Sequence, residues 1–142
     1  MFPFVPCRVK SLTLGPFSPK FNVNKIFREE LETVLPADAH LVIGDRLHIS
    51  MTDTSMQNVI HCRFSSRKDL MDALICSCFL PAFSAYEVPT YEGKPFLDGG
   101  FSNNQPVLDD GTATVRVSPF AGNSHICPDD GTPEDKRLIF QK

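Results

Sequence analysis

The segment SRKDLMDALICSCF, residues 66–79, limits the folds open to this chain more than any other stretch. Leu70, Ala73, Leu74 and Cys78 recur at helical spacing, and Met71 and Ile75 widen that stripe until little of the wheel stays polar. A helix that is apolar around most of its circumference has to be buried, so other elements must pack around it. Ser66 is placed to cap its start, with Asp69 three residues later as a variant of the capping box. Pro81 stands just past its end, where the helix cannot continue. The longest apolar run, LICSCFLPAF from Leu74 to Phe83, contains that proline and is about half of what a bilayer span requires.

The flanking sequence supplies the cover. In DRLHISMTD, Leu47, Ile49 and Met51 alternate with His48, Ser50 and Thr52, which predicts a strand. After a polar turn around residues 52–58, NVIHCRF places Ile60, Cys62 and Phe64 on one parity, which predicts the second arm of a hairpin. Earlier in the chain, Ile26, Phe27, Leu31, Val34 and Leu35 share one helical face while Arg28, Glu29 and Glu32 lie elsewhere on the wheel. Asn22 or Asn24 caps that amphipathic helix and Pro36 ends it. Downstream, Pro81 and Pro89 bracket a loop, Glu92-Gly93 forms a tight turn, and Leu97-Asp98 closes a strand. Thr114–Val117 reads as one more short strand, after the turn Asp109-Asp110-Gly111. Residues 1–21, with Pro3, Pro6, Pro16 and Pro19, read as an irregular lead-in. Helices mixed with strands in 142 residues indicate an α/β or α+β arrangement with one core.

Several function classes fall away. Net charge is −3 and the Lys and Arg residues are scattered, so there is no basic stripe for a nucleic acid. The five cysteines are odd in number and form no C-x-x-C, which fits a reducing compartment. The opening MFPFVPCRVK has neither a positive n-region nor a small-residue cleavage site, so secretion is not expected. The expectation is a cytoplasmic chain with no transmembrane span, touching lipid only peripherally. His48 and His61 could face each other across the hairpin, but two histidines without a Cys cluster or H-x-x-x-H do not make a metal site. No dinucleotide or Walker loop is present, and no cofactor is expected. No G-x-S-x-G occurs either; GFSNN and GNSHI come nearest and lack the closing glycine of a nucleophile elbow.

One string remains, FLDGGFSNNQP from Phe96 to Pro106. Asp-Gly after an apolar run is a common hairpin turn, since glycine takes positive φ freely. The alternative is that Asp98 is a reacting carboxylate at a strand end, with two glycines that let the backbone bend and approach another element. Phe96, Leu97 and Phe101 offer the apolar surround that helps a carboxylate act as a general base.

The pattern Asp98-Gly99-Gly100-x-x-x-Asn104-x-Pro106 resembles the D-G-G-x-x-x-N-x-P signature of the patatin-like phospholipase domain family. GPFSPKFNVNKIFREELETVLPADAH, GDRLHISMT, LICSCFLPAF and VRVSPFAGNSHICPDD extend the likeness to the adipose triglyceride lipase/adiponutrin branch, over roughly residues 14–130. The resemblance implies a three-layer α/β/α fold that hydrolyses lipid acyl esters with a Ser–Asp dyad. Asp98 would be its proton acceptor, Gly99 and Gly100 would shape the turn, and Asn104 and Pro106 would brace the segment behind it. Asn104 is equally readable as a residue that bonds only the turn backbone. The family's glycine-rich oxyanion loop and its nucleophile elbow find no match here, so no residue of this chain is assigned as nucleophile. The expectation is therefore a lead-in at 1–13, then at 14–142 the C-terminal part of such a domain, lacking its N-terminal strands and elbow. It would bear the base of a triacylglycerol lipase or phospholipase, or be a silent protein that binds lipid or a lipase regulator. The implied partners are acylglycerol or phospholipid, a lipid-droplet or membrane surface, and a lipase co-regulator. A sheet without its first strands would also expose an edge and the apolar face of the 70–79 helix, favouring association.

Overall fold

The structure is a computed structural model that describes residues 22–85, 87–120 and 122–128; the expected lead-in at 1–13 lies outside the described residues. Helix α1 (Val23–Val34) starts where the Asn22 side chain accepts the Lys25 N–H at 2.8 Å, and it ends as Leu35 turns extended ahead of Pro36. A short α2 (Ala39–Ile43) follows. Strands β1 (Ile49–Thr52) and β2 (Asn58–His61) form the antiparallel hairpin, with Ile49 opposite His61 and Met51 opposite Val59. In α3 (Arg67–Ser77), the Ser66 hydroxyl accepts the Asp69 N–H, while Asp69 accepts back from Ser65. Strands β3 (Thr90–Tyr91) and β4 (Lys94–Pro95) are a separate small hairpin, joined by Glu92 and Gly93, both at positive φ. Strand β5 (Leu97–Asp98) runs antiparallel to β1, giving the sheet order β2-β1-β5.

Helix α3 is the buried element its composition demands. Leu70, Met71, Ala73, Ile75 and Cys76 are all buried, as is Phe79 just beyond it. It packs across β1 and also touches α1, α2, β3 and β5. Its core partners include Ile49, Met51, Phe64, Tyr91 and Phe96. Most of the apolar face of the 70–79 helix is thus covered, contrary to the expected exposure, with Leu74 half-buried and Cys78 exposed. Removing that much apolar area from water is the main favourable term here, about 2 kcal/mol for each large side chain fully buried. Arg67 ties α3 to α1: its guanidinium donates to the carbonyls of Leu35 at 3.0 Å and Glu32 at 2.6 Å, which α1 leaves open at its end.

Three local expectations fail for physical reasons. In β2, Val59 and His61 share the side of Met51 and Ile49, so the Ile60 parity faces outward. His61 therefore does not meet His48; it stands edge-on to Tyr91, with ring centroids 4.8 Å apart. Thr114–Val117 forms no strand: among the described residues its only pairing is a lone bridge between Val117 and Ile126, and Val115 and Val117 are exposed.

Candidate active site

Successive residues of β1 point to opposite faces. Ile49 and Met51 enter the core under α3, so Ser50 and Thr52 face the other way. Polar residues at that parity usually meet water, yet Thr52 is fully buried. The chain after Asp98 covers it.

Asp98 ends β5 opposite Met51, and its N–H donates to the Phe79 carbonyl at 3.0 Å, beside the end of α3. The backbone then enters a single 3-10 turn, η1 (Gly99–Phe101), which Asp98 caps. Its Oδ1 accepts the Gly100 N–H at 2.7 Å. Oδ2 accepts no hydrogen bond among the described residues. The carboxylate is half-buried, with one oxygen fixed and the other available.

The two glycines are not there for positive φ, so the hairpin-turn reading does not describe this segment. Space requires them. A Cβ on Gly99 would lie 2.5 Å from both the carbonyl oxygen and the hydroxyl of Ser50. A Cβ on Gly100 would lie 3.0 Å from Asp98 Oδ1 and 3.4 Å from Asn104 Oδ1. The close approach expected of the glycines is the feature that survives.

Beside this turn is a cleft of about 310 Å³. Leu47 and Leu74 give it apolar wall, while His48, Ser77, Asn103 and Asn104 bring polar groups to Asp98, Gly99 and Gly100. Asn104 and Pro106 both line the cleft and are exposed. Asn104 makes no side-chain hydrogen bond to the turn backbone among the described residues. Neither cleft-lining serine is paired with Asp98. Ser77 donates to the Leu74 carbonyl at 2.9 Å, and Ser50 Oγ accepts from Asn58 at 2.7 Å. Cys76, fully buried in α3, is no substitute nucleophile, because burial first and then the Asp72 charge push its thiol up to about 12. Among the described residues no group of three His, Cys, Asp or Glu side chains comes together to hold a metal.

Sequence reasoning missed the groups behind Asp98. The Thr52 hydroxyl donates to the Asp98 carbonyl at 2.7 Å and lies 2.8 Å from Ser102 Oγ. The Asn58 amide donates to Ser50 Oγ, to the Met51 carbonyl at 3.2 Å and to Ser102 Oγ at 3.3 Å. A fixed carboxylate beside a cleft, followed by glycines pressed against a strand, suits proton transfer to or from a hydroxyl that enters the cleft.

The sequence model described as "Patatin-like phospholipase" matches residues 10–110, which include β1, β5 and all of the turn. The chain is a member of the patatin-like phospholipase family. Within that family it is 44% identical over 122 residues to the mouse protein named 1-acylglycerol-3-phosphate O-acyltransferase Pnpla3, covering 85% of this chain and 29% of the relative. It is 43% identical over 120 residues to human patatin-like phospholipase domain-containing protein 2, covering 84% of this chain and 24% of that one. With the human omega-hydroxyceramide transacylase the figure is 40% over 123 residues, covering 86% and 23%. This patatin-like chain thus spans less than a third of the length of these curated relatives. No solved structure matches it. No helix among the described residues is long and apolar enough to cross a membrane.

Proposed function

We propose that Asp98 is the general base of a Ser–Asp dyad in lipid acyl transfer. In this reading residues 14–142 are part of a three-layer α/β/α domain, whose nucleophile elbow, oxyanion loop and first strands come from other sequence. The observation that carries it is the state of the Asp98 carboxylate: Oδ1 is held by the Gly100 N–H, and Oδ2 is left for a hydroxyl at the cleft. Family membership supports it from a second side, since relatives bear the names of an acyltransferase and a transacylase.

The chemistry is a displacement in two halves. Asp98 Oδ2 takes the serine proton as the serine oxygen bonds to the ester carbonyl carbon. The tetrahedral intermediate collapses, the ester C–O bond breaks, and the alcohol leaves with that proton. Water then releases the acyl group as a fatty acid, or a second lipid hydroxyl carries it away as a new ester. Backbone N–H groups near the reacting carbonyl would stabilise the oxyanion, often the largest electrostatic contribution to acyl transfer. The substrate class is an acylglycerol or phospholipid met at a lipid-droplet or membrane surface, where a lipase co-regulator would also act.

The absence of G-x-S-x-G from the 142 residues favours a second reading, a catalytically silent protein that binds lipid or such a regulator. A fluorophosphonate probe separates the two. The chain as it stands should give no labelled serine, and a chain extended to include a G-x-S-x-G segment should give one. In that extended chain Asp98→Asn should cut ester hydrolysis by about three orders of magnitude or more, the scale of losing a dyad member. Retained turnover would put the base elsewhere, and failure of the extended chain to label would leave the silent reading standing.

A further inference from the structure

The hydrogen bonds behind Asp98 have a direction that chemistry alone assigns. A carbonyl oxygen only accepts, so the Thr52 hydroxyl spends its one proton on the Asp98 carbonyl, 2.7 Å away. The contact between Thr52 Oγ1 and Ser102 Oγ, at 2.8 Å, must then be donated by Ser102. With its proton so committed, Ser102 can only accept from the Asn58 amide at 3.3 Å. The Met51 carbonyl, also within reach of that amide, requires its nitrogen rather than its oxygen on this side. The amide oxygen of Asn58 is left for Asn103, whose Nδ2 lies 3.5 Å away. Thus every link points one way: Asn58 to Ser102, Ser102 to Thr52, Thr52 to the Asp98 carbonyl.

We infer that Thr52, Ser102 and Asn58 are positioning residues for Asp98, a polarised chain that sets the plane of the Asp98–Gly99 peptide and thereby aims the carboxylate. The Thr52 bond restrains that peptide, and the next N–H along the turn, that of Gly100, is the donor that holds Asp98 Oδ1. Fixing the peptide keeps Gly100 in line with Oδ1 and leaves Oδ2 facing reactants. The burial of Thr52 makes the arrangement strict: with no water to replace a lost partner, its hydroxyl stays committed. Linked donors also polarise one another, so the last bond is stronger than an isolated one. The functional meaning rests on reading Asp98 as the base, but the geometry can be tested without turnover.

The test is residue-resolved amide hydrogen exchange on the whole chain, comparing wild type with Thr52→Val and Ser102→Ala. Loss of one neutral hydrogen bond upstream should speed exchange at the Gly100 amide by about tenfold. Amides of the hydrogen-bonded pairs in the β1–β2 ladder, Val59 and His61, should stay within about twofold of wild type. Thr52→Ser keeps the hydroxyl and should restore protection at Gly100. If Thr52→Val does not fold, Ser102→Ala, which changes a half-buried residue, decides alone. Unchanged exchange at Gly100, or acceleration of every amide together, in whichever variant folds would overturn the inference. A positive result would stand even where Asp98→Asn in an extended chain showed the catalytic base to be elsewhere, so the two readings fail separately.

Discussion

A single missing methyl group decides what Gly99 can be. At this position the backbone of η1 lies against β1, and a Cβ would sit 2.5 Å from the Ser50 carbonyl oxygen, a backbone atom of that strand. Gly99→Ala therefore has to push β1 and the turn apart, and overpacking of this kind costs about 1–3 kcal/mol. Gly100→Ala meets only side-chain atoms, Asp98 Oδ1 at 3.0 Å and Asn104 Oδ1 at 3.4 Å, which can move. The expected outcome is a clear fall in the urea midpoint for Gly99→Ala and a smaller one for Gly100→Ala. The second variant should still disturb the Asp98 carboxylate, because Oδ1 is the atom displaced. Equal stability losses would show that side-chain and backbone neighbours yield alike, and the close-approach account of Gly99 would fail.

Between elements, the ion pair that joins α1 to α3 makes the fold sensitive to acid. Arg28 meets Asp72 Oδ1 at 2.6 Å, and Lys68, one turn before Asp72 in α3, meets Oδ2 at 2.5 Å. Burial works against ionising Asp72, but the donors on Lys68 and Arg28 and their charges outweigh it, so its carboxyl lies below the ordinary value of 3.8. A depressed folded-state value means the native chain holds fewer protons than the unfolded one in that range. The stabilisation is then complete above pH 3.8 and is lost as pH falls through the lowered folded value. Asp72→Asn should be less stable than wild type near neutrality, and urea midpoints measured down the pH scale should converge below 3.8. A gap that stays constant into acid would mean the pair contributes packing and not charge. Arg67 works in parallel, closing the end of α1 with its guanidinium, and its bonds are to carbonyls that do not titrate.

At the level of the whole molecule, the sequence reported local order well and long-range order poorly. Helices α1 and α3 and the β1–β2 hairpin were legible because each carries its own pattern and its own cap, as Asn22 and Ser66 show. Asp98 was singled out by a motif, whereas its position at the end of β5 followed from the apolar run and the Glu92-Gly93 turn before it. Thr52 was not legible as its partner: they are 46 residues apart, and a polar residue on that parity of β1 reads as solvent-facing. The same blindness to cover misplaced the apolar surface. The 70–79 helix is mostly enclosed, but Leu41 and Val42 on α2 are 72% and 59% exposed, and Val115, Val117, Phe120 and Ile126 are exposed further along the chain. Adjacent apolar side chains left in water drive association wherever another copy can cover them. The chain on its own should therefore associate at micromolar concentration in light scattering, through α2 rather than α3. The double substitution Leu41→Lys and Val42→Lys removes apolar area at positions that make no contribution to the buried core, so it should shift the population toward monomer while leaving the urea midpoint nearly unchanged. A wild-type chain that is already a monodisperse, cooperatively unfolding monomer would refute the expectation outright. Association that persists undiminished in the double variant would move the contact away from α2, to the exposed valines and Phe120.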